Sequence, residues 1–310
     1  MISARGSNDD ENRETIVDYS GNGNNAVAHN IAWSGMSGYG GYGDVHTFKD
    51  YNSNNAVATY SISENRQIVT ITNCLKDSGA FLYIQNNRAV TKCKVTGLQT
   101  GQSIKWGNDK DESAQFEITK DGIYDINWSK STGYKCWMCG FIGECNITIE
   151  QIPLYPGALV LDGVDDYISL DAFKDKGFRT VFILVHLINY NIMPYESRKV
   201  DKNGHFLIHT TNMLSKENIA GNLYINNKLV EKSSLSTADN NKKILLSVIN
   251  PTALDTDFRT PMINKWIGGV SPTTAIYKFL GFKEALTEEQ IKAVIDKYNL
   301  LDGVDEIEVS

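Results

Sequence analysis

The chain has 310 residues, 41% of them apolar, which is enough to bury one large hydrophobic core or two of medium size. Its 30 basic and 37 acidic side chains give a net charge of −7 and are scattered along the chain, which argues against a nucleic-acid partner. No apolar run reaches the roughly 18 residues of a membrane-spanning helix, and the polar N-terminal segment lacks the apolar stretch of a secretion signal. We therefore expect neither nucleic-acid binding nor membrane insertion.

The five cysteines all lie in the first half of the chain. Because their number is odd, at least one thiol stays unpaired if disulfides form, and we predict that the thiols are reduced. Cys136 and Cys139 have the spacing of a zinc knuckle, but no second pair of ligands follows, and a structural zinc site needs four. We therefore interpret this pair as small apolar residues of a strand. The cysteines are Cys74, Cys93, Cys136, Cys139 and Cys145.

A polar, glycine-rich segment, residues 14 to 55, is followed by short apolar runs separated by turn residues, as in an all-β sandwich. Phe116 and Ile118 alternate with polar residues, so we expect both side chains to lie on the buried face of one strand. Residues 56 to 152 contain eight such predicted strands: ATYSI, QIVTIT, AFLYIQ, CKVTG, SIKWG, AQFEIT, GIYDINW and CNITIEQI.

The rest of the chain carries a second all-β pattern, which ends in one helix. Thr287 and Gln290 form a capping box at the start of this helix, and apolar residues follow at helical spacing. The two flanks of the middle segment complement each other, and a domain tolerates an insertion whose ends lie close together at a surface loop. We predict a discontinuous domain of residues 1–55 and 153–310, with a second β-sandwich inserted at 56–152.

Two polar turns have sequences that are typical of one family. The segment Asp18–Asn25, DYSGNGNN, resembles the D-x-S-G-N-G-N turn that opens many laminin-G-like, concanavalin A-like domains. Gly21 and Gly23 permit positive φ in such a tight turn. The segment Leu161–Ile168, LDGVDDYI, is similar to the strand-and-turn signature F-D-G-V-D-D-Y-V of the same family.

Three further segments follow in the order usual for this family. Residues 222 to 230 resemble its hairpin, residues 265 to 269 its f-x-I-G-G strand, and residues 276 to 291 its closing strand and helix. The resemblance implies a laminin-G-type jelly-roll sandwich with one C-terminal helix and says nothing specific about the insertion. A strand usually precedes the first turn in this family, and only residues 1 to 15 are available to form it here.

The glycine-rich stretch Trp33–Gly43, together with these signatures, resembles proteins of gut Bacteroidales and of the tailed phages that infect them. The alternative is an ordinary flexible loop. The resemblance implies an extracellular protein of a bacterial surface or a protein of a phage virion, such as a fibre or decoration protein. Its partners would be glycans or other virion or surface proteins, and exposed strand edges would allow a homo-oligomer.

Catalytic motifs of the common hydrolases are missing from the sequence. The same sandwich hosts glycoside hydrolases, and members that cleave β-glucans carry E-x-D-x-x-E on one strand, which does not occur here. A G-x-S-x-G nucleophile elbow does not occur either. His205 and His209 lie in a predicted strand, and we interpret them as a structural pair. We predict a non-enzymatic binding or structural protein; the alternative is a glycoside hydrolase with an unrecognised carboxylate pair.

The two family turns concentrate oxygen-bearing side chains of the kind that calcium prefers, and many laminin-G-like relatives bind calcium. The alternative is that these side chains hold the turns themselves. The candidate calcium ligands are Asp18, Asn24 and Asp165, and the further candidate binding residues are Asn22, Asp162 and Asp166.

Solvent-facing aromatic rings are a second kind of candidate, because they can stack on the apolar faces of sugars. Aromatic residues also fill hydrophobic cores, and the position in the sequence leaves both alternatives open. The candidates are Trp33, Tyr39, Tyr42, Trp128 and Trp137.

Overall fold

A computed structural model gives the architecture of the described part of the chain, in which every paired strand is antiparallel. Its one helix lies near the C-terminus, so the prediction of an all-β fold with a single C-terminal helix is confirmed. That helix falls short of the length and apolar character that crossing a bilayer requires. The described residues are 1–42, 48–50, 56–64, 66–77, 79–84, 90–108, 111–127, 135–171, 178–188, 192–198, 205–210, 221–230, 241–249, 262–263 and 273–307.

The strands and the helix are numbered in chain order. The first strands are β1 (Ile2–Ser3), β2 (Thr15–Ile16), β3 (Ala26–His29), β4 (Gly38–Tyr39), β5 (Lys49–Asp50), β6 (Ala58–Ile62), β7 (Ile68–Cys74) and β8 (Ala80–Ile84). The next are β9 (Val90–Thr96), β10 (Ile104–Asn108), β11 (Asp111–Ile118), β12 (Gly122–Asn127), β13 (Lys135–Cys139), β14 (Gly143–Ile152), β15 (Leu159–Asp162) and β16 (Tyr167–Ser169). The last are β17 (Thr180–Leu187), β18 (Ile192–Arg198), β19 (His205–Thr210), β20 (Asn222–Ile225), β21 (Lys228–Leu229), β22 (Lys242–Ile249), β23 (Met262–Ile263), β24 (Thr273–Phe282) and the helix α1 (Glu288–Tyr298).

The chain divides into two compact units, which are described separately below. Each has its own cluster of buried apolar side chains, which is the property that defines a domain. Unit 1 comprises Met1–Trp33, Ser37–Gly41 and Tyr155–Ser310, and unit 2 comprises Ser34–Met36 and Tyr42–Leu154.

Unit 2 begins earlier in the chain than the insertion predicted from residue 56. Phe48 is fully buried in the core of unit 2, and β5 pairs with β8 of the same unit. The sequence prediction places residues 48 to 50 in the discontinuous domain, because a single apolar residue in a polar stretch carries no strand periodicity. At its other end unit 2 runs to Leu154, where the prediction has residue 152.

Unit 1 contains two antiparallel sheets in its described residues. The larger sheet has the strand order β21-β20-β22-β17-β24-β15-β4, with β1 also paired to β24, and the smaller sheet has the order β19-β18-β23-β16-β3-β2. Buried apolar side chains from both sheets, such as Ile183 of β17 and Ala28 of β3, form one cluster, as in a β-sandwich. The N-terminal segment supplies β1, which joins the larger sheet.

The central strand β17 is apolar on both faces because both faces are covered. Its alternate residues point to opposite sides of the sheet. Ile183 belongs to the core between the two sheets, whereas Phe182 and Leu184 belong to a second apolar cluster. This second cluster includes Ile291 and Ile295, so helix α1 packs with its apolar face on the outer side of the larger sheet.

Helix α1 begins with the predicted capping box. The hydroxyl oxygen of Thr287 accepts a hydrogen bond from the backbone N–H of Gln290 at 3.3 Å, and the Gln290 side chain accepts one from the Thr287 N–H at 2.9 Å. Asn299 ends the helix in the left-handed conformation, with φ 51°. The prediction of the helix start is therefore confirmed.

Replacing Thr287 with Ala is expected to lower the free energy of unfolding of unit 1 by about 1 kcal/mol, because the first turn of α1 loses its side-chain acceptor. Chemical denaturation followed by circular dichroism measures this change. Thr287→Ser keeps the hydroxyl and should cost much less. Equal losses in the two variants would contradict a capping role.

Unit 2 also contains two antiparallel sheets in its described residues. Their strand orders are β11-β10-β13-β8-β5 and β12-β9-β14-β7-β6. All eight strands predicted in this region are present, as β6 to β12 and β14. Buried side chains of both sheets, such as Ile71 of β7 and Trp137 of β13, pack in a single cluster. The region is therefore a second β-sandwich.

Phe116 and Ile118 lie on the same face of β11, but only Ile118 is buried. The Phe116 side chain is 48% exposed and stacks on Trp106, with ring centroids 4.6 Å apart. The expectation that Phe116 is buried is therefore wrong. Strand β11 lies at the edge of its sheet, where a side chain has a neighbouring strand on one side only.

A disulfide joins Cys74 of β7 to Cys139 of β13, and therefore connects the two sheets of unit 2. The two Cα atoms are 6.1 Å apart, and 65 positions separate the residues in sequence. The prediction of reduced thiols is wrong for this pair. It holds for Cys93, Cys136 and Cys145, whose thiols form no disulfide in the described part of the chain, and Cys136 is buried in a strand as predicted.

Candidate functional site

The first of the two polar turns, residues 18 to 25, connects β2 to β3 and is built around the buried carboxylate of Asp18. One oxygen of this carboxylate, Oδ1, accepts hydrogen bonds from the N-terminal ammonium of Met1 at 2.7 Å and from the backbone N–H of Ser20 at 2.9 Å. The other, Oδ2, accepts from the Ser20 hydroxyl at 2.7 Å and from the backbone N–H of Asn24 at 3.1 Å. Asp18 therefore holds the turn together.

These contacts keep Asp18 ionised. Burial by itself would raise the pKa of this carboxyl, but the hydrogen bonds from the N-terminus, Ser20 and Asn24 lower it to about 2. Gly21 and Gly23 adopt φ values of 81° and 67°, as predicted for this turn. For Asp18, the turn-holding alternative describes the structure better than a role as calcium ligand, because its oxygens already accept four hydrogen bonds.

The second polar turn, residues 162 to 166, connects β15 to β16 and brings three carboxylates together. Carboxylate oxygens of Asp162, Asp165 and Asp166 lie within 4.8 Å of one another. Two of the three also hold the turn, because Asp162 accepts a hydrogen bond from the N–H of Val164 at 2.8 Å and Asp166 accepts one from the N–H of Asp162 at 2.9 Å. The Asn30 amide donates to the Asp165 carbonyl at 3.1 Å and fixes the turn against the segment that follows β3.

The charge of this group depends on Asp166, which is fully buried. Burial raises the pKa of Asp166 to about 6; hydrogen bonds from Asp162 and Ser37 lower it, and the charges of Asp162 and Asp165 raise it. Three carboxylates at one turn are hard oxygen ligands of the type that calcium takes. Of the predicted calcium ligands, Asp165 is a member of this group and Asp18 is not.

Raising the pH from 4 to 7.5, with a chelator present, is expected to lower the free energy of unfolding of unit 1 by up to about 3 kcal/mol. The cause is the ionisation of Asp166. Its folded-state pKa of about 6 lies above the 3.8 of an unperturbed Asp. The stabilisation by the neutral carboxyl is therefore complete below pH 3.8 and is lost as the pH rises through 6. Denaturant titrations at a series of pH values measure this, and Asp166→Asn should remove the dependence. If the free energy of unfolding changed with pH equally in the wild type and in Asp166→Asn, Asp166 would not be the group responsible.

Of the aromatic candidates in unit 1, Tyr39 belongs to the core and Trp33 packs against it, partly buried. Tyr39 is only 8% exposed, and its hydroxyl donates a hydrogen bond to the carbonyl of Arg13 at 3.2 Å. Burial is the main cause that raises the pKa of Tyr39 to about 12. Trp33 is half-buried, with its ring centroid 5.6 Å from that of Tyr39 and 5.3 Å from the Arg13 guanidinium. Of the two alternatives left open for Tyr39, the core alternative is the one that applies.

The remaining aromatic candidates fall in the region of unit 2. Trp137 is fully buried in its core, so for this residue too the core alternative is the one that applies. Tyr42 is half-buried, and its backbone N–H donates to the Gly35 carbonyl at 2.8 Å. Trp128 lies outside the described residues, as do the side chains of His205 and His209 on β19.

A cavity of about 550 Å³ lies beside the first turn, entirely within unit 1. Asn22 and Asn24 of the turn line it, together with residues 280 to 284 at the end of β24. The two asparagines were sequence candidates. The β24 residues were not, because they read as part of a closing strand and nothing in their local pattern distinguishes a strand end that faces a cavity.

Comparison with models of protein families, with curated proteins and with solved structures gave no match.

Proposed function

We propose that the chain is a non-enzymatic adhesive protein that binds glycans, with unit 1 as a laminin-G-type jelly roll and unit 2 as its inserted β-sandwich. The family-like segments support this assignment because four of them coincide with the expected turn, strand, hairpin and closing helix. In the hairpin, for example, Asn226 and Asn227 adopt the left-handed conformation, with φ 49° and 65°. The fifth segment, residues 265 to 269, lies outside the described residues.

The observation that carries the proposal is the chemistry of the cavity beside the first turn. Its lining combines aromatic rings, side-chain amides and a hydroxyl, which are the groups that hold a polar ligand with apolar faces. Glu284 is the one carboxylate among its lining residues in the described part of the chain. A glycosidase of either stereochemistry needs two carboxyl groups across the scissile bond. The cavity therefore favours binding over cleavage.

One observation favours the alternative of a glycoside hydrolase. The three carboxylates of the second turn are close together, and the pKa of Asp166 is raised to about 6, as is common for a general acid. A general acid must, however, reach the glycosidic oxygen of its substrate. Asp166 is fully buried, which argues against this role.

The disulfide of unit 2 supports a location on a virion or outside the cell. Disulfides persist in oxidising surroundings and are rare in the reducing cytosol. Cys74 and Cys139 are both fully buried in the core of unit 2, so the bond is a structural one. This is the basis for proposing a phage virion or bacterial surface protein.

Calcium is proposed to bind at the second turn, through Asp162, Asp165 and Asp166. Millimolar calcium is then expected to raise the melting temperature of unit 1 at pH 7.5, by the linkage between binding and folding. Asp165→Asn, which removes one charge at an exposed position, should weaken this shift. An unchanged melting temperature in the wild-type protein would leave the turn-holding role as the only role of these residues.

The test of the proposed function is a glycan array with the full chain, with calcium and with a chelator, combined with an assay for released reducing sugar. We expect retention of at least one class of glycan without release of sugar. Release of sugar would support the hydrolase instead. If the protein bound no glycan on the array, the proposal would be overturned, and a structural role with protein partners would be favoured.

A further inference from the structure

We infer that the cavity beside the first turn is a binding site for an uncharged sugar ring, an inference that rests on the proposed adhesive function and names its ligand. The volume of about 550 Å³ lies within the range of roughly 300–1,000 Å³ found for small-ligand pockets. The site has a polar wall, an aromatic wall and a charged rim, and each of these selects for the same ligand.

The polar wall consists of Ser20, Asn22 and Asn24. The Ser20 hydroxyl donates to Asp18 and accepts a hydrogen bond from the Asn22 amide nitrogen at 3.0 Å, so the wall is held in place before any ligand arrives. An amide has two donor hydrogens and an acceptor oxygen, and sugar hydroxyls also donate and accept. The Asn22 amide, held in this way, suits a ring of hydroxyl groups and reduces the cost of ordering the site.

The aromatic wall consists of Phe178, Phe282 and Tyr298, all of which are half-buried. Phe178 lies directly against Gly281, where a β-carbon would come within 2.6 Å of the ring. Only glycine leaves room for the ring at this point of β24. The Phe178 ring is also held by Phe279 in an edge-on contact, with centroids 6.2 Å apart. Fixed aromatic faces are suited to the apolar C–H face of a sugar ring.

The rim carries Lys283 and Glu284, one charge of each sign, and both side chains are exposed. Met1 also lines the cavity, and its N-terminal ammonium is paired with Asp18 at 2.7 Å. The lining therefore gives no net attraction to an anionic or a cationic ligand, which favours a neutral one. A peptide that adds itself as a strand needs an open sheet edge. The cavity instead lies at the end of β24, which pairs with β17 on one side and with β15 and β1 on the other.

The test uses the full chain on an array of neutral, sialylated and sulfated oligosaccharides, followed by titration calorimetry with the best neutral ligand. Asn22→Trp, at an exposed position, places a bulky indole at the cavity in place of the amide and should abolish binding of neutral glycans. Asn22→Ala removes hydrogen bonds and should weaken binding about five-fold. Asn12→Trp is the matched control, because Asn12 is an exposed asparagine of the same unit that does not line the cavity, and it should bind like the wild type.

Melting curves establish that each variant is folded. Folded Asn22→Trp that still binds neutral glycans would overturn the site while leaving the adhesive function intact. Wild-type binding confined to charged glycans would overturn the neutral ligand in the same way. A wild-type protein that binds no glycan would overturn the proposed function itself, so the two failures are distinguishable.

Discussion

Reduction of the disulfide between Cys74 and Cys139 is expected to lower the free energy of unfolding of unit 2 by about 4 kcal/mol. The bond closes a loop of 65 positions, and breaking it returns the conformational freedom of that loop to the unfolded chain. Both cysteines lie in the same buried core as Trp137, so the two sheets also lose the disulfide that joins them across this core. The loss is a substantial fraction of the roughly 5–15 kcal/mol that typically stabilises a domain.

Calorimetry of the full chain with and without a thiol reductant measures this effect as a shift of the unit 2 transition. The double variant Cys74→Ala/Cys139→Ala should melt like the reduced protein and should not respond to the reductant. Cys145→Ala is the matched control, because Cys145 is a free cysteine of the same core. The prediction would be contradicted if the reductant broke the disulfide and the melting transition of wild-type unit 2 did not shift.

Replacing Asp18 with Ala is expected to lower the free energy of unfolding of unit 1 by about 3 to 5 kcal/mol. The substitution leaves the N-terminal ammonium and the donors of Ser20 and Asn24 without the carboxylate that all of them share. Denaturant titration of the unit 1 transition gives the change. Asp9→Ala, at an exposed Asp of the same segment, should stay within about 0.5 kcal/mol of the wild type.

The contribution of Asp18 should also depend on pH in a direction opposite to that of Asp166. Its folded-state pKa of about 2 lies below the unperturbed 3.8. The stabilisation is therefore fully present above pH 3.8 and is lost as the pH falls through 2, by about 2 kcal/mol in all. The difference in stability between wild type and Asp18→Ala should narrow over this range. A constant difference between pH 5 and 2 would contradict the assigned pKa.

Local pattern was a good guide wherever one element decides its own structure. The capping box of Thr287 and Gln290 is contained in four consecutive residues, and α1 begins there. The glycines at positions 21 and 23 predict positive φ because the backbone of a tight turn demands it. The strands of unit 2 are predicted from the alternation of apolar and polar residues, which is visible within each strand segment.

Local pattern was a poor guide to burial and to contacts between distant residues. Phe116 and Ile118 have the same alternation on the same edge strand, yet Ile118 lies in the core cluster and Phe116 is largely exposed. Tyr39 has the sequence surroundings of a loop aromatic and lies in the core. Among the candidate calcium ligands, Asp165 has carboxylate neighbours within 4.8 Å, whereas the carboxylate of Asp18 accepts hydrogen bonds from residues of its own turn.

The sequence by itself determined the all-β class, the C-terminal helix and the positive φ of Gly21 and Gly23, because these depend on residues a few positions apart. Only the tertiary structure decided the pairing of Cys74 with Cys139 and the meeting of Asn22 with Phe178 and Glu284 at one cavity. These contacts join residues that are far apart in the chain. Their proximity results from the order of the strands in the sheets, and no short stretch of sequence carries that information.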